Sequence, residues 1–388
     1  MAGTFEIQGY CDQCFSAVKE AFRNNFESDL EVGASFAATI DGKFVVDLWG
    51  GYTDAAQTRS WERDTIANVW STTKAMTAIC ALILIDRGQL DPDAPVARYW
   101  PEFAQNGKEK IPVKYVLTHQ SGVAGIDEPI TWETYYNWDR MIRLLEKQKP
   151  LWEPGKRGGY HAYTFGHLVG EVVRRITGKS LGAFFRDEVA VPLGADFHIG
   201  LSGENDYRVA ELTPPPALKP EDPGYKLFND PGSISEVCKK VMGNPPTDAN
   251  LVLCTRDRAW RAAEIPSVNG HGNARSAARV GAAMACGGEL DGVRLMGQTT
   301  IKKAIEEQDY GTDIVLGGTF RRGLGFILNS KEMPMGPNPH TFYGSGWGGS
   351  KMVVDLDAKI SWSYVMNKMG NLFDPRPQRI IQALYAAL

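Results

Sequence analysis

The chain has 388 residues, of which 43% are hydrophobic and 23% charged, and its formal net charge is −4. That length exceeds one compact core of ordinary size, so two domains, or one domain with a large insertion, are expected. No Lys/Arg block marks a nucleic-acid-binding face, residues 1–10 lack the basic start and apolar run of a secretory signal, and the longest apolar stretch (75–85) is too short to span a membrane, which together point to a cytoplasmic protein.

Residues 12–26 place Phe15, Val18, Ala21, Phe22 and Phe26 at helical spacing. Cys11 and Cys14 form a lone CxxC pair, read as ordinary thiols on that helix, because a zinc site needs a second pair. Residues 34–40 and 43–49 are β-rich and flank Asp41-Gly42, a strong hairpin signal because both turn positions need positive φ. The chain is thus expected to open helix, strand, strand. Further helices are expected at 72–87, 113–119, 138–147, 164–177, 181–189, 276–285 and 377–388, and strands at 323–329, 351–355 and 360–367. Strands at both ends with helices between predict an α+β fold. One antiparallel sheet domain is built from residues 1–90 and 268–388, and residues 91–267 form a helix-rich second domain. Within it, residues 201–267 are rich in proline and carry Tyr225, Phe228, Leu251, Val252, Leu253 and Trp260, which suggests an ordered cover over a pocket.

Three motifs carry chemistry. The first is Ser71-Thr72-Thr73-Lys74. Residues three apart share a helix face, so the amine lies beside the hydroxyl and, when neutral, can take its proton. The pattern recurs at Ser16-Ala17-Val18-Lys19, but there Lys19 can point to water from an amphipathic helix. Ser71 instead begins a helix that is apolar all round, from Ala75 to Ile85. Burial lowers a lysine pKa, as a general base needs, and the helix N-terminus favours a developing negative charge. The second motif is Trp152-Glu153-Pro154-Gly155 followed by Tyr160-His161-Ala162. A phenol beside a Ser–Lys pair can relay protons. The third is Tyr343-Gly344-Ser345-Gly346-Trp347-Gly348-Gly349-Ser350. Gly344, Gly346 and Gly349 match GxGxxG, but a strand follows where a dinucleotide site needs a helix. Glycines at a strand edge instead let a ligand approach the backbone, which could lend an N–H to an oxyanion hole.

Other chemistries find no support. There is no GxSxG elbow for a Ser-His-Asp hydrolase. His119 precedes Gln120-Ser121-Gly122 and reads as part of a structural turn, while His161 adjoins Tyr160 and is expected to line the site. No HExxH or other metal spacing occurs, so neither metal nor cofactor is expected.

Taken together, these motifs resemble the serine β-lactamase and penicillin-binding-protein superfamily, and within it the class C β-lactamase-like carboxylesterases called family VIII esterases. The stretch Val116-Leu117-Thr118-His119-Gln120-Ser121-Gly122, the helix from Gly170, and Asn273-Ala274-Arg275-Ser276 fit as well, so the resemblance covers nearly the whole chain. It implies that Ser71 is acylated, that Lys74 is its base, and that Tyr160 is the proton partner. Because the Tyr-x-Asn motif reads Tyr160-His161-Ala162, Tyr163 is a rival for that role. The implied oxyanion donors are the backbone N–H groups of Ser71 and Ser350. Trp347, Gly348, Gly349, Tyr343, Trp152 and His161 are implied to contact substrate. The Lys-Thr-Gly motif is absent, replaced by Gly344-Ser345-Gly346 or Trp347-Gly348-Gly349. Loss of that lysine, which would greet a substrate carboxylate, favours an uncharged small-molecule ester. Alternatives on the same fold are an acyltransferase, a β-lactamase, a D-peptidase or a non-enzymatic binding protein.

Overall fold

A computed structural model describes residues 5–217, 219–221, 236–371 and 374–388; Tyr225 and Phe228 lie outside the described residues. The centre is a nine-stranded antiparallel sheet in the order β1-β3-β2-β14-β13-β12-β11-β10-β9. Its first strands are β1 (Ile7–Cys11), β2 (Gly33–Ile40) and β3 (Lys43–Gly51). Short pairs follow: β4 (Ala67–Asn68), β5 (Phe197–His198) and β6 (His271–Gly272) in one small sheet, β7 (Glu289–Leu290) and β8 (Val293–Arg294) in another. The large sheet is completed by β9 (Asp309–Thr312), β10 (Thr319–Arg322), β11 (Ile327–Leu328), β12 (Thr341–Ser345), β13 (Lys351–Asp355) and β14 (Ile360–Met366).

The Asp41-Gly42 turn forms as expected, with φ of 45° and 78°, and joins β2 to β3. The chain nevertheless opens with a strand. β1 pairs with β3 along its whole length, so Cys11 ends a strand and Cys14 sits in a short 3₁₀ turn, not on a helix. Helix α1 (Ser16–Glu27) begins only after that turn. The strand expected at 323–329 shrinks to Ile327–Leu328. Gly325 takes φ 84° and turns its N–H to Leu117 O (3.0 Å), which takes this stretch out of the ladder.

Helices cover both faces of the sheet. On β14, Ser361 meets Gly281 of the Ala274–Ala285 helix, while Tyr364, on the opposite face, bonds Glu31 beside Arg376 of the Pro375–Ala386 helix. Helix α2 (Thr73–Asp86) is buried from Thr73 through Leu84, packed against β12 and against α6. The intervening helices include α3 (Val113–Leu117), α4 (Trp132–Tyr136), α5 (Trp138–Lys147) and α6 (Thr164–Thr177). A helix apolar on every side has no face to give to water, which is why the core forms around α2. The proline-rich stretch carries short helices, and its Leu251, Val252 and Trp260 are fully buried, whereas Leu253 is exposed. Among the described residues no helix is long and apolar enough to cross a membrane.

Candidate active site

Ser71 lies in a 3₁₀ turn, Trp70–Thr72, that leads into α2. Trp70 has φ 47°, a left-handed conformation that costs a non-glycine residue on the order of 1–3 kcal/mol. Its ring is wedged between Trp260 (5.8 Å between centroids) and Trp347 (5.1 Å), and the Thr73 hydroxyl donates to Trp70 O at 2.5 Å. The turn is therefore held from both sides, and Ser71 is left half-buried at a cavity wall.

Lys74 lies one turn on and is 5% exposed. Its Nζ has three partners: Ser71 Oγ at 3.1 Å, Ala162 O at 2.7 Å and Ser267 O at 3.0 Å. Two are carbonyls, which only accept. A neutral amine has two hydrogens for them and a lone pair for the Ser71 O–H. Burial holds Lys74 well below the usual ammonium range, which favours that neutral form.

Tyr160 enters the same cavity. Its ring centroid is 4.8 Å from Lys74 Nζ, and Ser71 stands near enough to its hydroxyl to favour the ionised phenol. Burial, helped by the charge of Asp313, raises the phenol to about 12 against the opposing pull of Ser71 and Arg322. Tyr163 is elsewhere. Its hydroxyl bonds Thr247 Oγ1 at 2.5 Å, its ring packs edge-on against Trp132, and it does not line the cavity.

The remaining expectations divide. Tyr343 lines the cavity, and so do Gly344 and Ser345. A Cβ on Gly344 would stand 2.9 Å from Ala75 Cβ, so glycine is what lets β12 lie against α2. Gly344-Ser345-Gly346, not Trp347-Gly348-Gly349, therefore occupies the wall facing Ser71. Gly348 and Gly349, with φ of 87° and 121°, pack against Met369 and Asp374 instead. Ser350 sits behind the Ser71 turn: its hydroxyl donates to Val69 O (2.7 Å) and bonds Thr72 Oγ1 (3.0 Å). Its carbonyl accepts the Gly346 N–H at 2.8 Å, which turns that carbonyl into the hairpin, and Ser350 is not among the cavity residues. Trp152 stacks its indole behind Gly159 and edge-on to His161.

His161 does not line the cavity either. It is fully buried, with Nε2 against Ser121 Oγ (2.6 Å) and Nδ1 against Gly159 O (2.7 Å), and burial lowers it to about 3. It is a neutral tie between two loops. His119, read from sequence as a turn residue, does line the cavity, with φ 62° and its ring 5.0 Å from that of Tyr160. Its Nδ1 accepts the His161 N–H at 3.1 Å, so Nε2 carries the proton of the neutral ring. Arg322 is a second cavity residue that sequence reasoning missed. A lysine also stands near the missing motif lysine's place: Lys351, on β13 opposite Ser345, donates to Ser345 Oγ at 3.0 Å, and burial lowers it to about 8. Among the described residues no cluster of His, Cys, Asp and Glu could hold a metal.

Comparison with known proteins bears on the family and the fold. The sequence profile of the Beta-lactamase family matches residues 22–387. The chain is 31% identical over 382 residues to the esterase/beta-lactamase LipL of Mycobacterium tuberculosis, covering 94% of this chain and 83% of that one. The crystal structure of a family VIII carboxylesterase is 44% identical and superposes with a TM-score of 0.91, over 99% of this chain and 100% of that one. A penicillin-binding protein homologue from Caulobacter crescentus is 38% identical, with a TM-score of 0.87 over 99% and 100% of the two chains. The resemblance read from the motifs, and the α+β fold it implied, are thus borne out.

Proposed function

Because the chain belongs to the beta-lactamase family, we propose that it is a serine carboxylesterase that cleaves short-chain or aromatic esters through a Ser71 acyl-enzyme. The observation that carries this reading is the hydrogen-bond set of Lys74 Nζ, two carbonyl acceptors and one hydroxyl, which suits a neutral base. Ser71 Oγ attacks the ester carbonyl as its proton passes to Lys74. The oxyanion that forms accepts from the Ser71 N–H at the entry to α2. Gly346 turns both its N–H and its C=O towards Ser350 and Gly349. Along a strand these directions alternate, so Ser345, the last residue of β12, turns its N–H the other way and is assigned the second donor in place of Ser350.

Collapse of the tetrahedral intermediate breaks the bond to the alcohol, which takes its proton from Tyr160, and Tyr160 is reprotonated from Lys74. Water then attacks the acyl carbon as its proton passes to the same pair, and the bond to Ser71 Oγ breaks as that proton returns to Oγ and the acid leaves. Similar proteins support ester chemistry: a family VIII carboxylesterase and an esterase/beta-lactamase are among them. Gly344 in place of a motif lysine, with Lys351 turned onto Ser345, supports uncharged esters.

The test is covalent labelling with a fluorophosphonate alongside hydrolysis of p-nitrophenyl esters. Wild-type protein is expected to gain one adduct on Ser71, and Ser71→Ala to lose both labelling and turnover while keeping its fold. Unchanged turnover in Ser71→Ala would sink the proposal.

A further inference from the structure

Arg322 lines the Ser71 cavity, yet it is only 2% exposed. Two carboxylates hold it. Nη1 meets Asp309 Oδ2 at 2.8 Å, and Nη2 bonds Asp313 Oδ2. Asp313 is fully buried, and its other oxygen accepts the N–H groups of Val315 (2.8 Å) and Leu316 (2.7 Å). One buried cation between two anions is poor value as a stabiliser, since apolar side chains of similar volume do as well or better.

What the cluster touches is the chain leading to Tyr160. The hairpin of β9 and β10 docks there: the Ile314 N–H donates to Gly158 O at 3.1 Å. A Cβ on Gly158 would collide with Asp309 Oδ2 and lie 2.5 Å from Arg322 Nη1. A Cβ on Gly159 would lie 2.6 Å from the Trp152 ring and 2.9 Å from Ile314 Cγ1. Neither glycine has positive φ, so both serve close approach rather than a turn. The pair of glycines lets the charged cluster press on the backbone two residues before Tyr160.

We propose that Arg322 is a positioning residue for Tyr160: clamped between Asp309 and Asp313, it fixes residues 158–160 so that the phenol stays on Ser71. The inference rests on the role given to Tyr160 above. The clamp acts through position and not through charge, because Asp313 raises the Tyr160 phenol and outweighs the opposite pull of Arg322. His119, beside the Tyr160 ring, is neutral and adds no competing charge.

The experiment compares kcat/KM on two esters of one acid, ethyl butyrate and p-nitrophenyl butyrate. Ethanol must be protonated as it leaves, whereas p-nitrophenol leaves as a stable anion. Loss of proton delivery therefore falls on the ethyl ester, while general damage falls on both. Tyr160→Phe is expected to slow the ethyl ester about 100-fold more than the p-nitrophenyl ester. Arg322→Met is expected to show the same bias, at about tenfold or more, and Arg322→Lys to recover part of it. Should Arg322→Met fail to fold, the charge-free triple variant Asp309→Asn, Asp313→Asn, Arg322→Met removes the unpaired carboxylates and is expected to show the same bias. Equal loss on both esters, or no loss, in folded Arg322 variants overturns the inference if Tyr160→Phe is selective. If Tyr160→Phe is itself unselective, the role of Tyr160 fails, and this inference with it.

Discussion

Replacing Lys74 separates two jobs that an amine could do beside Ser71: taking a proton, or supplying a positive charge. Lys74→Met keeps much of the length and shape at a site only 5% exposed. It removes two N–H donors, from Ala162 O and Ser267 O, and each buried carbonyl left unpaired costs about 1–3 kcal/mol. It also removes an amine from a place where burial disfavours its charge, which works in the opposite direction. The two effects oppose, so the net change in stability is expected to stay within about 2 kcal/mol. Nothing offsets the catalytic loss. A positioned base contributes about 10²–10⁴ in rate, or roughly 3–5.5 kcal/mol of barrier. Lys74→Arg then decides between the two jobs, because a guanidinium stays charged and cannot accept a proton. As a base, Lys74 is replaced by neither residue, and kcat/KM falls about 10³-fold in both variants. The pH dependence has a matching sign. Acylation rises as the amine loses its proton and is flat above that pH. Because the unfolded chain binds a proton that the native amine gives up, Lys74 also makes stability rise with pH towards the ordinary lysine range. That slope is at most about 1.4 kcal/mol per pH unit, and Lys74→Met removes it. Initial rates on a p-nitrophenyl ester, thermal melts and melts across pH read all of this. Lys74→Arg retaining turnover within about tenfold of wild type would refute the base assignment.

Two further substitutions test the assignment of the proton partner and the packing of one cavity wall. Tyr163→Phe removes the bond to Thr247 Oγ1 and is expected to cost about 1 kcal/mol in a denaturation series, with kcat unchanged; a deep loss of kcat would return the proton role to Tyr163. Gly344→Ala drives a methyl to 2.9 Å from Ala75 Cβ, so β12 and α2 must part. The expected cost is about 1–3 kcal/mol, with a drop in kcat/KM because that wall faces Ser71; rates and melts indistinguishable from wild type would contradict the packing described.

The strongest sequence signals were those set by burial. Residues 138–147 and 164–177 carry a 3.6-residue apolar period, and both helices form over those bounds. The strand at 351–355 forms as read, and the apolar run after Ser71 gives α2, only its first residue being taken into the 3₁₀ turn. Elements at and next to the sheet edges left no such mark. β1, β9 and β10 are short, half-exposed and polar, with no clean alternation, and they gain strand geometry from their neighbours in the sheet. Arg322 was invisible for the same reason. Its meaning lies in pairing with Asp309 and Asp313 and in contact with Gly158, none of which is a local pattern.

The proposed choice of Tyr160 over Tyr163 turns on a departure from a motif. With Ala162 at the third position of Tyr-x-Asn, no side chain remains there to accept from the lysine, which left the register open. In the fold the backbone supplies what the side chain lacks: Ala162 O accepts from Lys74 Nζ at 2.7 Å. A carbonyl can do this only if residues 160–162 run past the lysine before α6 begins. The backbone that gives Ala162 O to Lys74 thereby carries Tyr160 into the cavity, while Tyr163, at the N-cap of α6, turns its ring towards Trp132. The proposed Ser71 site thus depends on where the segment 158–162 lies, and the glycines at 158 and 159 let the Arg322 cluster hold it there.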